Sequence, residues 1–230
     1  MTLDEVLAEL HSLAKPENLG GMSRFGITTH NALGTGMPPL RKLAKQIKTD
    51  RNLAQQLWAT ELHEARILAA MIDNPQEVTE AQAEEWVCCF NSWDLCDQVC
   101  GNLFDKTSFA LQKCTEWSSR PEEFVKRAAF ALMASIAIHR RDIPDADLLF
   151  FFELIEKQAN DKRNFVKKAV NWALRQTGKR SAFLLGHARV CAEKIALQNY
   201  PSARWIAADA LREFNQLAAP KYENPSQNSG

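Results

Sequence analysis

Phe124-Val125-Lys126-Arg127-Ala128 returns about forty residues further along as Phe165-Val166-Lys167-Lys168-Ala169, and Ala173-Leu174-Arg175 returns at a similar interval as Ala210-Leu211-Arg212. The apolar residues in and around these segments recur at helical spacing. A period of that length in a helical chain is the mark of stacked helix pairs. One pair cannot bury its own apolar stripe, so successive pairs pack on each other and the stack curves around a concave surface.

Helical periodicity extends in both directions from these segments. It predicts helices near 3–14, 38–48, 51–59, 61–72, 79–90, 93–104, 107–118, 121–139, 145–159, 163–178, 181–197 and 201–216. Capping chemistry marks several ends. Thr79-Glu80-Ala81-Gln82 has capping-box spacing, Ser92 can cap a helix start, Pro121 suits a first turn, and Gly178 suits a stop. The expected fold class is all-α: HEAT-like helical repeats, an α-solenoid curved around a concave basic groove. A single domain is expected over 1–217, with a polar, aperiodic and disordered tail at 218–230.

Composition agrees with helices. The 230 residues are 46% hydrophobic, enough for a sizeable core, and hold only nine Gly and nine Pro. There is no long apolar run to cross a bilayer, and MTLDEVLAEL at the start lacks a basic segment followed by an apolar one. The expectation is a cytoplasmic protein without a membrane partner. Cys96 and Cys100 share a helix face, but no second Cys or His pair stands at zinc-site spacing, so no metal is expected. The six cysteines read as free thiols, mostly buried.

The formal net charge is zero, but its distribution is uneven. Residues 51–100 are acidic, with Glu61, Glu64, Asp73, Glu77, Glu80, Glu84, Glu85, Asp94 and Asp97 against Arg51 and Arg66. Residues 161–180 are basic, with Lys162, Arg163, Lys167, Lys168, Arg175, Lys179 and Arg180 against Asp161. A neutral total therefore hides a segment able to form a cationic face.

Three constellations could carry chemistry. Lys168, Trp172, Arg175 and Lys179 fall on one face of the 163–178 helix, opposite Val166, Ala169, Val170, Ala173 and Thr177. That stripe fits either nucleic acid, through phosphate contacts and an aromatic surface, or a solvated face whose Trp packs on the next repeat. Trp93 and Asp97 are i, i+4 neighbours, and a carboxylate beside an indole can stabilise a positive charge. Their ordinary roles are core packing and helix-dipole pairing. Arg127 lies in an otherwise apolar run, so it needs a carboxylate (Asp94 is one candidate), a phosphate or solvent.

Trp93-Asp94-Leu95-Cys96-Asp97, then Val125-Lys126-Arg127-Ala128-Ala129, then Phe165 through Arg175 resemble, in order, the motifs of the AlkD-like DNA alkylation repair glycosylases. Met22-Ser23-Arg24-Phe25-Gly26-Ile27, Pro39-Leu40-Arg41-Lys42-Leu43 and Leu62-His63-Glu64-Ala65-Arg66 are similar too, so the likeness covers roughly residues 20–213. Phe25 stands where some relatives have Tyr.

The resemblance implies a HEAT-like fold holding double-stranded DNA, and hydrolysis of the N-glycosidic bond of N3- or N7-alkylated purines. It implies catalytic roles for Asp97, Trp93 and Trp172. Arg127 and Arg175 would hold backbone phosphates, with Lys168 and Lys179 of the basic stripe also on the DNA. A cationic alkylpurine is already a good leaving group and needs little or no protonation by a general acid; no zinc-deaminase or phosphate-loop motif appears in the sequence, and no cofactor is expected. The enzyme has only to stabilise an oxocarbenium-like sugar. A solenoid that wraps DNA has no evident need to dimerise, and a monomer is expected. Two other readings remain at this point: a non-catalytic repeat protein that binds damaged or branched DNA, and a protein-binding scaffold.

Overall fold

The computed structural model describes residues 1–218. Among these, thirteen α-helices follow one another: α1 Leu3–Ser12, α2 Leu19–Arg24, α3 Met37–Ile47, α4 Arg51–Ala59, α5 His63–Ile72, α6 Glu80–Cys88, α7 Trp93–Asn102, α8 Ala110–Ser118, α9 Glu123–His139, α10 Phe150–Gln158, α11 Asn164–Lys179, α12 Ala182–Ala196 and α13 Pro201–Ala218. There is no strand among the described residues, as an all-α HEAT-like fold requires. The helix α13 includes Ala218, where the tail was expected to begin; the rest of that tail lies outside the described residues.

The odd-numbered helices from α5 onward pack side by side, α5 on α7, α7 on α9, α9 on α11 and α11 on α13. Even-numbered helices back them, with α4 on α5, α8 on α9 and α12 on both α11 and α13. The sequence repeat reappears as a repeated contact. Phe124 and Phe165, equivalent residues of α9 and α11, stack with ring centroids 5.7 Å apart.

The central helix α9 is buried nearly throughout because its sequence, AAFALMASIA from Ala128 to Ala137, is apolar on every side. Its alanines let neighbouring helices approach. On the α4–α8 side the core is aromatic, with Trp58 stacked on Trp86 at 3.9 Å and Phe104 packed on Trp117 at 5.8 Å. Burying each such ring stabilises the fold by about 1.5–3 kcal/mol.

Local signals were met unevenly. The Thr79 hydroxyl accepts from Gln82 N, but the Gln82 side chain turns to Asp73 and Arg51 instead of closing the capping box. Ser92 occupies the N-cap with extended backbone, yet its hydroxyl makes no capping bond. Pro121 precedes α9 rather than opening it, and its carbonyl accepts from Arg163 Nη1 at 2.6 Å. Gly178 does not stop α11, which runs through Lys179. A Cβ on Gly178 would lie 2.7 Å from Ala188 Cβ and 2.9 Å from the Phe214 ring, so glycine there lets three helices meet. Periodicity missed α2, where Gly20-Gly21 weakens the helical signal.

Candidate lesion-binding cavity

The chain between α2 and α3 crosses the N-terminal ends of α5 and α7. Glu64, in the first turn of α5, holds this crossing with hydrogen bonds from Leu33 N, Gly34 N and Thr35 N, and the Thr28 hydroxyl donates to Asn91 O at 2.9 Å. Gly26 has φ +76°, and a Cβ on it would meet Phe165 Cζ at 2.5 Å. Only glycine supplies both the left-handed turn and the close approach.

Together with α7, α9 and α11, this crossing borders an open cavity of about 490 Å³. Trp93, Asp97 and Arg127 line one part of it, and Asn164, Phe165, Lys168 and Trp172 line another. Both indoles are pinned by their N–H groups. Trp93 Nε1 donates to Phe25 O at 2.9 Å. With the Gln176 amide oriented to accept, its oxygen lies 3.2 Å from Trp172 Nε1 and from Lys179 Nζ. Pinned at the nitrogen, each ring is half-buried yet still lines the cavity.

Asp97 accepts a forked pair from Arg127, Nε to Oδ1 at 3.0 Å and Nη2 to Oδ2 at 2.8 Å. Arg127 Nη1 donates to Phe165 O at 2.6 Å, and its guanidinium carbon lies 5.9 Å from the Trp93 ring centre. This guanidinium is buried, at 5% exposure, and holds Asp97 in place rather than standing free for a phosphate. Of the candidates weighed from sequence, its partner is a carboxylate, but Asp97 rather than Asp94. Asp94 instead meets His63 Nε2 at 2.8 Å.

Burial pushes the Asp97 carboxyl above its ordinary value, although Arg127 pulls the other way. Burial acts to raise Asp94 also, but there the His63 bond prevails and holds it below the usual range. The two carboxylates of one helix are thus set apart by their partners.

The four-residue stripe of α11 divides. Lys168 and Trp172 line the cavity, and Lys168 is exposed and belongs to no ion pair among the described residues. Arg175 and Lys179 do not line it. Arg175 Nη1 pairs with Asp209 at 3.0 Å and its Nε lies 3.0 Å from Glu213, while Lys179 Nζ meets Glu213 at 2.7 Å. Both cations expected on DNA are matched by acids of α13.

Sequence reasoning did not pick out Arg24, Asn164 or Phe165 as lining residues. Phe165 carried a signal in its repetition of Phe124, and Arg24 in its place beside Phe25-Gly26; Asn164 carried none.

The all-helical repeat and its open cavity describe a HEAT-like protein with a pocket lined by two indoles, a carboxylate and three cations. The chain belongs to the DNA alkylation repair enzyme family, whose model matches residues 6–188. A solved structure described as "a new family of proteins related to the HEAT-like repeat DNA glycosylases with affinity for branched DNA structures" superposes with a TM-score of 0.77. The alignment covers 93% of this chain and 95% of that one at 18% identity, a likeness of fold. No curated protein matches the sequence significantly.

Proposed function

We propose that the protein is a monofunctional DNA glycosylase, acting as a monomer on double-stranded DNA in base excision repair in the cytoplasm. It would release cationic N3- and N7-alkylpurines. One observation carries this reading: Trp93 and Asp97 of one helix and the sequence-distant Trp172 of another line a single cavity.

The chemistry follows from charge. In an N7- or N3-alkylated purine the glycosidic electron pair is already drawn toward a positive ring. The C1′–N9 bond breaks with its electron pair going to the base, which leaves neutral, and positive charge develops at C1′. The Asp97 carboxylate, clamped by Arg127, opposes that charge without having to reorganise. The Trp93 and Trp172 faces favour the same cation. Water then adds to C1′ and gives up a proton, for which Asp97 is the nearby acceptor. Arg127 is a positioning residue, while Lys168 and Arg24 at the rim supply phosphate contacts.

A second reading, DNA binding without excision, draws on one feature: Arg127 answers both Asp97 oxygens and so offsets part of its charge. The Asp97→Asn variant separates the two. Single-turnover release of 7-methylguanine should fall about 10²–10³-fold while duplex affinity is kept. An unchanged rate would remove Asp97 from the mechanism.

A further inference from the structure

A second cavity, of about 420 Å³, lies on the other side of the wall formed by the crossing segment and the first turn of α7. Trp93 and Asp97 face the lesion cavity, whereas Asn91 and Leu95 face this one. Phe25 and Gly26 line the first, and Thr28 and Asn31 the second. The Thr28–Asn91 hydrogen bond ties the partition together. Nothing in the excision chemistry uses this second space.

Its floor is Arg66. The residue is 8% exposed, and its guanidinium carbon sits 5.0 Å from the centre of the Trp58 ring, itself stacked on Trp86. Among the described residues the one hydrogen bond of its side chain runs from Nε to Trp58 O at 3.3 Å. Nη1 and Nη2 make none, and the side chain lines the cavity. The forked edge of this guanidinium is thus turned to an open cavity without a hydrogen-bonding acceptor from the described residues, the geometry that receives an oxyanion.

Glu61 Oε1 stands 3.6 Å from Nη2, beyond hydrogen-bond reach. Its side chain is largely exposed, and its backbone has φ 61°, a left-handed conformation that glutamate rarely adopts. A loosely held carboxylate of this kind is easily displaced. His63 forms another wall. Its Nε2 is bonded to Asp94 at 2.8 Å, which fixes the ring as part of the wall. The amides of Asn31 and Asn91 supply further donors.

We infer that this second cavity binds a phosphate group on Arg66, displacing Glu61. A DNA phosphate flanking the lesion nucleotide is the source that its position favours, since the two cavities share one wall. Assigning the phosphate to DNA rests on the proposed function; the site itself does not.

The test therefore has two arms on the full chain. In the first, inorganic phosphate raises the melting temperature of the wild type in a concentration-dependent way, and this response is lost in Arg66→Met. In the second, a lesion-bearing duplex carries an uncharged methylphosphonate at one backbone position at a time. One position beside the lesion should weaken wild-type binding about tenfold and leave Arg66→Met unaffected. If Arg66→Met does not fold, Glu61→Gln takes its place and should tighten binding two- to fivefold, roughly the effect of removing an exposed competing charge. Equal responses of the wild type and the folded variant in both arms overturn the site. A response to inorganic phosphate alone keeps the site and removes the DNA strand as its source.

Discussion

The two ends of α11 began as one pattern and became two different surfaces. At the N-terminal end, Lys168 and Trp172 line a cavity with Asp97 and Trp93. At the C-terminal end, Arg175 and Lys179 sit against Asp209 and Glu213 of α13, their charges matched. Helical spacing says which residues share a face. Whether that face stays cationic depends on the next helix, and α13 brings its acids to one end only. The same comparison explains how a chain of zero net charge can keep a cationic rim where it is needed.

Substitutions at the two ends should break or sharpen this contrast. The largest effect is expected at Trp172. Trp172→Ala should slow excision about 10–100-fold, on the scale of a lost cation–π and stacking surface, while the melting temperature falls only a few degrees. A collapse in stability would instead make Trp172 a core residue.

The pH dependence should be next in size. Burial raises the Asp97 carboxyl, and the proposed reaction needs its ionised form. Activity is therefore full above that raised pKa and lost as pH falls through it, by about tenfold per unit. The acid limb should lie above the range of an ordinary aspartate and be absent in Asp97→Asn; a limb at the ordinary position would mean that burial does not control this group.

Lys168→Ala should lower the slope of log affinity against log salt by about 0.9, the share of one phosphate contact on duplex DNA. Arg175→Ala should leave that slope nearly unchanged, because its charge is already answered within the protein. Equal slopes for the two variants would erase the distinction between the ends.

Gly178→Ala, at the packed end, should cost about 1–3 kcal/mol of stability through overpacking against Ala188 and Phe214. The excision rate per folded molecule should not change. Calorimetry and single-turnover rates on the same preparation check both.

Much of this was legible in the sequence, and for definite reasons. A helix buried on all sides, such as α9, announces itself by composition, and helix starts such as Thr79 do so by capping chemistry. Trp93 and Asp97 were visible as a pair because they lie on one helix. The partner of Arg127 was not. Asp94 and Asp97 are three residues apart on α7, and choosing between them requires the register of α9 against α7, which no single-helix periodicity contains. The same gap hid Asp209 and Glu213 behind Arg175 and Lys179. Gly178 misled because glycine serves both as a helix stop and as a point of close approach, and only the neighbours Ala188 and Phe214 show which.

The central claim is that the Trp93–Asp97–Trp172 cavity acts on the positive charge of its substrate. The direct measurement is single-turnover release by the wild-type protein of cationic 7-methylguanine, set against neutral hypoxanthine, from otherwise identical duplexes. The account predicts rapid release of the cationic base and none of the neutral one above the uncatalysed rate. Release of neither base from DNA that the protein demonstrably binds, or equal release of both, would contradict it.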